Sequence, residues 1–250
     1  MRTFGQLLVR GLIVGLFAGL LAGTFAYVLG ESRVDAAIAI EEAGAAHSHD
    51  HDQAQEHGDD HGEEPLVSRE GQKAGLFLAT SLYGVALGGL FAVAYTLLSR
   101  KLGTGNDAYA ALGLAAAGFV GVVLVPFLKY PPNPPAVGDP ETITKRTVTY
   151  LLTLVIGLLA VWAGVALSRW AARHGEVARL AGGVAGLVVT VVAAYLILPR
   201  INEVPESFPA TLLWQFRFAS LGTQATLWLL LGFGYAVAVD RRPVREKVAM

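Results

Sequence analysis

Cysteine is absent from this chain of 250 residues. Disulfides, thiolate metal sites and cysteine nucleophiles are thereby excluded. Charge is scarce: Asp, Glu, Lys and Arg make up 16% of the chain against 54% hydrophobic residues, where a soluble domain carries about a quarter charged residues. No GxxxxGK[ST] phosphate loop occurs, so ATP hydrolysis through that motif is excluded. No basic nucleic-acid module is visible either, and no nucleic acid is expected as a partner.

The charges that remain sit in short islands. Between them lie six apolar runs, Leu7–Leu29, Ala74–Leu98, Ala108–Leu128, Val148–Ser168, Leu180–Leu198 and Ala219–Val239. Arg10, near the start of the first, is the one charged residue or histidine within them. About 20 residues of helix cross a hydrocarbon layer roughly 30 Å thick. Each backbone amide there must be satisfied within its own segment, and the period-2 alternation of barrel strands is missing, so the runs are expected to be helices. The expected fold is all-α: an integral membrane bundle of about six helices in contact with the lipid bilayer.

A basic start before the first run also describes a secretory signal. That run, however, is longer than a signal core and carries Gly11, Gly15, Gly19 and Gly23, one face on which a neighbouring helix can approach closely. A retained helix is the expectation. Gly84 and Gly88, and Gly113, Ala117 and Gly121, repeat the spacing.

The basic residues set the expected orientation. With the N-terminus in the cytoplasm, 11 of the 19 Lys and Arg fall on the shorter inner segments and 16 of the 20 acids fall outside. The expected organisation is a first helix in 1–30, an outer loop over 31–73 that is largely disordered, a five-helix region over 74–239 and a basic tail over 240–250. The outer loops at 129–147 and 199–218 are rich in proline. This places a multi-pass protein in the plasma (inner) membrane with both termini cytoplasmic.

Five of the six histidines, His47, His49, His51, His57 and His61, stand in one tract with Asp50, Asp52 and further acids. Imidazole and carboxylate suit first-row divalent ions such as Co²⁺, Ni²⁺ or Zn²⁺, and clustered negative charge concentrates cations. A merely solvated acidic linker is the plain alternative, although His-rich tracts bind metal without a fixed fold. Beyond the first helix, Glu31 could pass an ion on to a vestibule formed by Asp139 and Glu141 of the second outer loop and Asn202, Glu203 and Glu206 of the third. Asp139–Pro140–Glu141 reads equally well as a helix start. Gln215, Arg217 and Gln224 add polar groups to the last helix and its approach. The runs hold no carboxylate or imidazole, although ion pathways normally contain ionisable groups. A route would use neutral side-chain oxygens, backbone carbonyls or a partner's ligands. An intramembrane enzyme is not expected, for want of a nucleophile–base pair, and no permanently bound cofactor is expected.

Several strings carry a resemblance. They are YVLGESRVDAAIAIEEA, the His-rich tract, VSREGQKAGLFLATSLYGVALGGLFA, LVPFLKYPPNPPAVGDPETITKRT and LPRINEVPESFPATLLWQFRFASLGTQ. Together they resemble the CbtA family of probable cobalt transporter subunits along nearly the whole chain. The resemblance implies a role in cobalt uptake, supporting cobalamin synthesis, and a small single-helix companion subunit with its own histidines. The competing functional reading is a non-transporting scaffold or metal buffer that hands metal to another permease.

Overall fold

The computed structural model describes residues 3–49, 68–102 and 106–240, all within a helical architecture without strands among the described residues. Its helices are α1 (Phe4–Leu29), α2 (Glu31–His49), α3 (Arg69–Leu102), α4 (Asp107–Gly118), α5 (Val125–Lys129), α6 (Ile143–Ala171), α7 (Glu176–Ile197) and α8 (Ala210–Val239). A π-helical turn, Phe119–Leu124, joins α4 to α5. Six stretches are long and apolar enough to cross a membrane, Phe4–Leu29, Arg69–Ser99, Asp107–Lys129, Pro140–His174, Glu176–Ile197 and Ala210–Val239. They coincide with the six apolar runs.

Local chemistry explains the boundaries. Thr3 and Gln6 close a capping box at α1: Gln6 N–H donates to Thr3 Oγ1 at 3.4 Å and Thr3 N–H donates to Gln6 Oε1 at 3.2 Å. Asn106 starts α4 by accepting from Ala108 N–H and Tyr109 N–H. The π turn has its cause in Pro126, which has no N–H to give to the carbonyl one turn back. The helix widens instead, and Val125 N–H donates to Val120 O five residues earlier.

The segment after Gly30 begins as a helix: Glu31–His49 form α2, 19 residues within the stretch 31–73 that was expected to be a largely disordered loop. The reason lies in the alanine-rich stretch VDAAIAIEEA, which favours helix and presents Ala37 and Ile40 to one apolar contact. His51, His57, His61, Asp50 and Asp52 lie outside the described residues, while His47 and His49 belong to the last turn of α2.

Hydrocarbon supplies no hydrophobic drive between helices, so contact must come from close packing. The glycine face of α1 provides it. Gly11 and Gly15 lie backbone to backbone against Gly88 and Gly84 of α3, and Gly19 meets Thr80. Gly121 in the π turn meets Gly157 of α6 in the same manner, whereas Gly113 faces open space. Behind α1, the buried ring of Tyr235 on α8 packs edge-on against Phe91 and Tyr95 of α3, with centroids 5.1 and 5.2 Å away.

Thus α1, α3, α4 and α8 share one core, while α6 and α7 pair with each other and reach the rest mainly through the π turn and α5. Val184, Val189, Leu196 and Ile197 on α7 are all at least 65% exposed. An apolar surface of that extent belongs in lipid.

Filling the α1–α3 contact has a definite cost. Gly15→Leu drives a side chain into the Gly84 carbonyl and is expected to lower stability by at least about 2 kcal/mol in micellar unfolding. Gly75→Ala, on an open face of the same hairpin, should be neutral or stabilising by up to about 1 kcal/mol. Equal effects at the two positions would refute the close-packing account.

Candidate functional site

Six alternating spans put three connections at one end of the bundle: α2 with the tract that follows it, the proline-rich segment 130–142, and the segment 198–209. All three touch. Ala37 of α2, Val137, Phe208 and Leu213 of α8 form a small buried cluster, with Ile40 packed against it. Arg69 at the head of α3 holds α2 in place by binding Glu31 at 2.6 Å and Asp35 at 2.7 Å, and Lys73 lies 3.8 Å from Asp35.

Prolines 131, 132, 134 and 135 keep the second connection out of helical conformation. Its carbonyls and amides are taken up by the neighbours. Arg217 of α8 donates to Pro132 O at 3.3 Å and to Asn133 Oδ1 at 3.0 Å, and its guanidinium lies over the Trp214 ring. Tyr130 donates to Pro199 O at 2.7 Å, and Lys129 Nζ donates to Tyr195 O at 2.9 Å. Asp139 Oδ1 accepts from Glu141 N–H and starts the short turn Pro140–Thr142 that leads into α6.

Glu203 is the point where these segments converge. Its carboxylate accepts from the Thr142 hydroxyl and from Asp139 N–H at 3.1 Å, and Arg146 Nη1 lies 3.2 Å away. Only 10% of the side chain is exposed. The Thr142 hydrogen bond is the largest influence on its acidity. With burial acting the other way, the Asp139 amide and the charges of Arg146 and Lys145 add to it, and the carboxyl is held below the usual glutamate range.

Beneath this roof lies a cavity of about 950 Å³. Its walls are apolar residues of the π turn, α5, α6 and α8 interspersed with Tyr83, Asn133, Thr149, Tyr150, Asn202, Ser220 and Gln224. The charged side chains on it are Arg146, Glu203 and Arg217, one excess positive charge. Gln224 sits seven residues, about 10 Å of helix, beyond Arg217, and its Oε1 is buried without a hydrogen-bond donor. Such an oxygen is poised to accept from water or to ligate an ion entering the cavity.

The anticipated vestibule residues therefore divide. Asp139 and Glu203 meet, and Asn202 lines the cavity beside them. Glu141 and Glu206 are exposed near the rim, while Glu31 of α2 is bound to Arg69 of α3. Among the described residues, no three His, Asp or Glu side chains gather as a metal ligand set. Sequence reasoning overlooked the roles of Arg69 and Arg146, and it passed over Tyr83, Thr149 and Tyr150. Gln224 was named as a polar group of the last helix, and it is the one carboxamide within the six apolar runs.

The model of the family described as "Probable cobalt transporter subunit (CbtA)" matches residues 4–240, nearly the whole chain. The chain belongs to the CbtA family. No curated protein and no solved structure matches it. Family and fold together make this CbtA protein a multi-pass membrane protein and a component of cobalt transport. In this CbtA chain the helices supply a bundle, a cavity and a roof bound by arginine–carboxylate contacts.

Glu203 links the roof to pH. Because its folded-state acidity lies below the usual range, its ionised form stabilises the protein fully above that range. The contribution is lost as pH falls through the depressed value. The difference in melting temperature between the native chain and Glu203→Gln should therefore be constant near neutrality. It should shrink towards zero as pH is lowered from about 7 to about 3. A difference independent of pH would remove the Glu203 carboxylate from this role.

Proposed function

We propose that this protein is the membrane component of a cobalt uptake system, in which the His-rich tract captures the ion and the loop-end cavity is its vestibule. The observation that carries the reading is the docking of α2. This helix leads directly into the tract and rests on both other connections at the mouth of the bundle. His47 lies seven residues, about 10 Å of helix, beyond Ile40 at that docking point. An ion held by the tract is thereby delivered beside the cavity. The distribution of Lys and Arg supports a loop end that faces outward and termini that lie in the cytoplasm of an inner-membrane protein.

In this reading the rim oxygens of Asp139, Glu141, Asn202 and Glu206 exchange with the water shell of the ion. Glu31 and Glu203, held by Arg69 and Arg146, maintain the shape of the rim. Gln224 offers a neutral oxygen deeper in. Co²⁺ is the expected cargo, with Ni²⁺ or Zn²⁺ compatible with the same ligands. A small single-helix companion subunit supplies the ligands that the spans lack.

One observation favours the second reading, a scaffold or buffer that passes metal to another permease. The excess positive charge on the cavity wall opposes a dication. Cobalt uptake into sealed vesicles that contain the full chain, with and without the companion subunit, separates the two. The transport reading expects accumulation above empty vesicles, reduced in Gln224→Leu. No accumulation in either vesicle preparation, with cobalt still bound by the chain, would favour the buffer.

Deletion of 47–61 should lower uptake several-fold at limiting cobalt and leave uptake at high cobalt largely intact. Imidazole binds metal only when deprotonated, so capture should weaken below about pH 6. Titration of the full chain against its 47–61 deletion checks this. A loss of binding that is the same in both would dismiss the histidines.

A further inference from the structure

The loop-end cavity is too large for a lone ion. An octahedral aqua ion, with six waters of about 30 Å³ each, needs roughly 200 Å³. The cavity holds about 950 Å³, a volume typical of sites for small organic molecules. Mainly apolar walls with a few hydroxyl and amide groups set among them are the composition of such sites as well.

Its charge points to an anion. Glu203 and Arg146 balance each other at 3.2 Å, which leaves Arg217 as the source of the excess positive charge. Arg217 is held without being neutralised. Among the described residues its acceptors are Pro132 O and Asn133 Oδ1, both uncharged, and no carboxylate pairs with it. Two of the five guanidinium N–H donors are thereby used, and three remain in a fork of the kind that matches a carboxylate.

Ser220 and Gln224 follow Arg217 at steps of three and four residues on the cavity wall, one face of α8. The fork and the unpaired Gln224 Oε1 are thus separated by about 10 Å of helix, a span that a small polycarboxylate covers with an ion at its far end. Neither group suits a bare dication. The guanidinium repels it, and Gln224 offers it a single neutral oxygen. Chloride would fill a small part of the volume, and inorganic phosphate would leave the apolar walls facing water.

We infer that the cavity binds a small di- or tricarboxylate, with one carboxylate on Arg217 and the others turned toward Gln224, and that the dication occupies the cavity as the chelate of this anion. The inference rests on the proposed function and specifies the form of its cargo. The carboxylates supply both the counter-charge and the oxygen ligands that the spans lack.

Citrate is the probe, titrated calorimetrically without metal into the full chain in an uncharged detergent. The native chain should bind one citrate, and equal concentrations of chloride or inorganic phosphate should leave it bound. Arg217→Gln should weaken binding at least about 10-fold, the loss of one charge-assisted bond. Ser220→Phe, which fills cavity space with the guanidinium intact, should weaken it as well. Cobalt uptake into sealed vesicles then tests the cargo. At fixed total cobalt, added citrate lowers the free ion, yet uptake by the native chain should hold or rise, whereas uptake by Arg217→Gln should follow the free ion. Absence of citrate binding overturns the site, as does displacement by either inorganic anion. Undiminished binding in both variants, each with an unfolding transition like that of the native chain, overturns it too. Native uptake that falls in step with free cobalt overturns the chelate as cargo. No uptake at any citrate concentration refutes transport itself, and the citrate titration still decides the site.

Discussion

A backbone amide in hydrocarbon has no partner but another backbone group of its own helix, and two such helices gain nothing by hiding apolar surface from water. Everything that holds this bundle together must therefore come from how closely its helices approach or from polar groups gathered at its ends. The contact between α1 and α3 shows the first route. Glycines facing glycines bring two backbones together, so dispersion acts over the whole crossing. Bulkier residues at Gly11, Gly15, Gly84 or Gly88 would separate the helices and withdraw α1 from the Tyr235 core.

The second route accounts for the placement of arginine. Arg10 donates to Ala238 O at 2.7 Å and satisfies a terminal carbonyl of α8. Arg69, Arg146 and Arg217 do comparable work at the loop end, where each draws together segments distant in sequence. Their charges are matched locally by Glu31, Asp35 and Glu203 or shared among carbonyl, amide and aromatic partners. Two of the carboxylates that could have served as ion ligands are thus occupied in shaping the rim.

How much could be read in advance follows from this division of labour. The six spans, the absence of strands among the described residues and the glycine face of α1 depend on length, composition and local spacing, and all were legible. The helix Glu31–His49 was not. Its charged residues and its position next to a His-rich tract suggested solvent, while its order rests on Ala37 meeting Val137, Phe208 and Leu213 from segments 100 or more residues away. The pairings of Glu203 with Arg146 and of Arg217 with Asn133 are hidden for the same reason. Spacing along the chain announces none of them. Asp139, Asn202 and Glu203 were identified by chemical type, and only the fold brings Asn202 and Glu203 to one cavity and bonds the Asp139 amide to Glu203.

The loop end of the bundle poses one electrostatic question. On the proposed function a dication enters past Arg146 and Arg217, whose field opposes it unless water and counter-charge intervene. Glu203 removes the first of these obstacles, because its bond to Arg146 leaves that pair near neutral. Arg217 is fixed by Pro132, Asn133 and the Trp214 ring, which hold its charge at the wall. A tract of imidazoles and carboxylates beyond α2 then has a second use besides capture: it is anionic, and it begins beside the mouth. On that proposal the anionic tract would offset the field at the mouth while metal is bound there, and the residual positive wall would disfavour a long stay in the vestibule. Weak holding in the span and strong collection outside it are what passage requires, since an ion that binds tightly within the membrane does not leave.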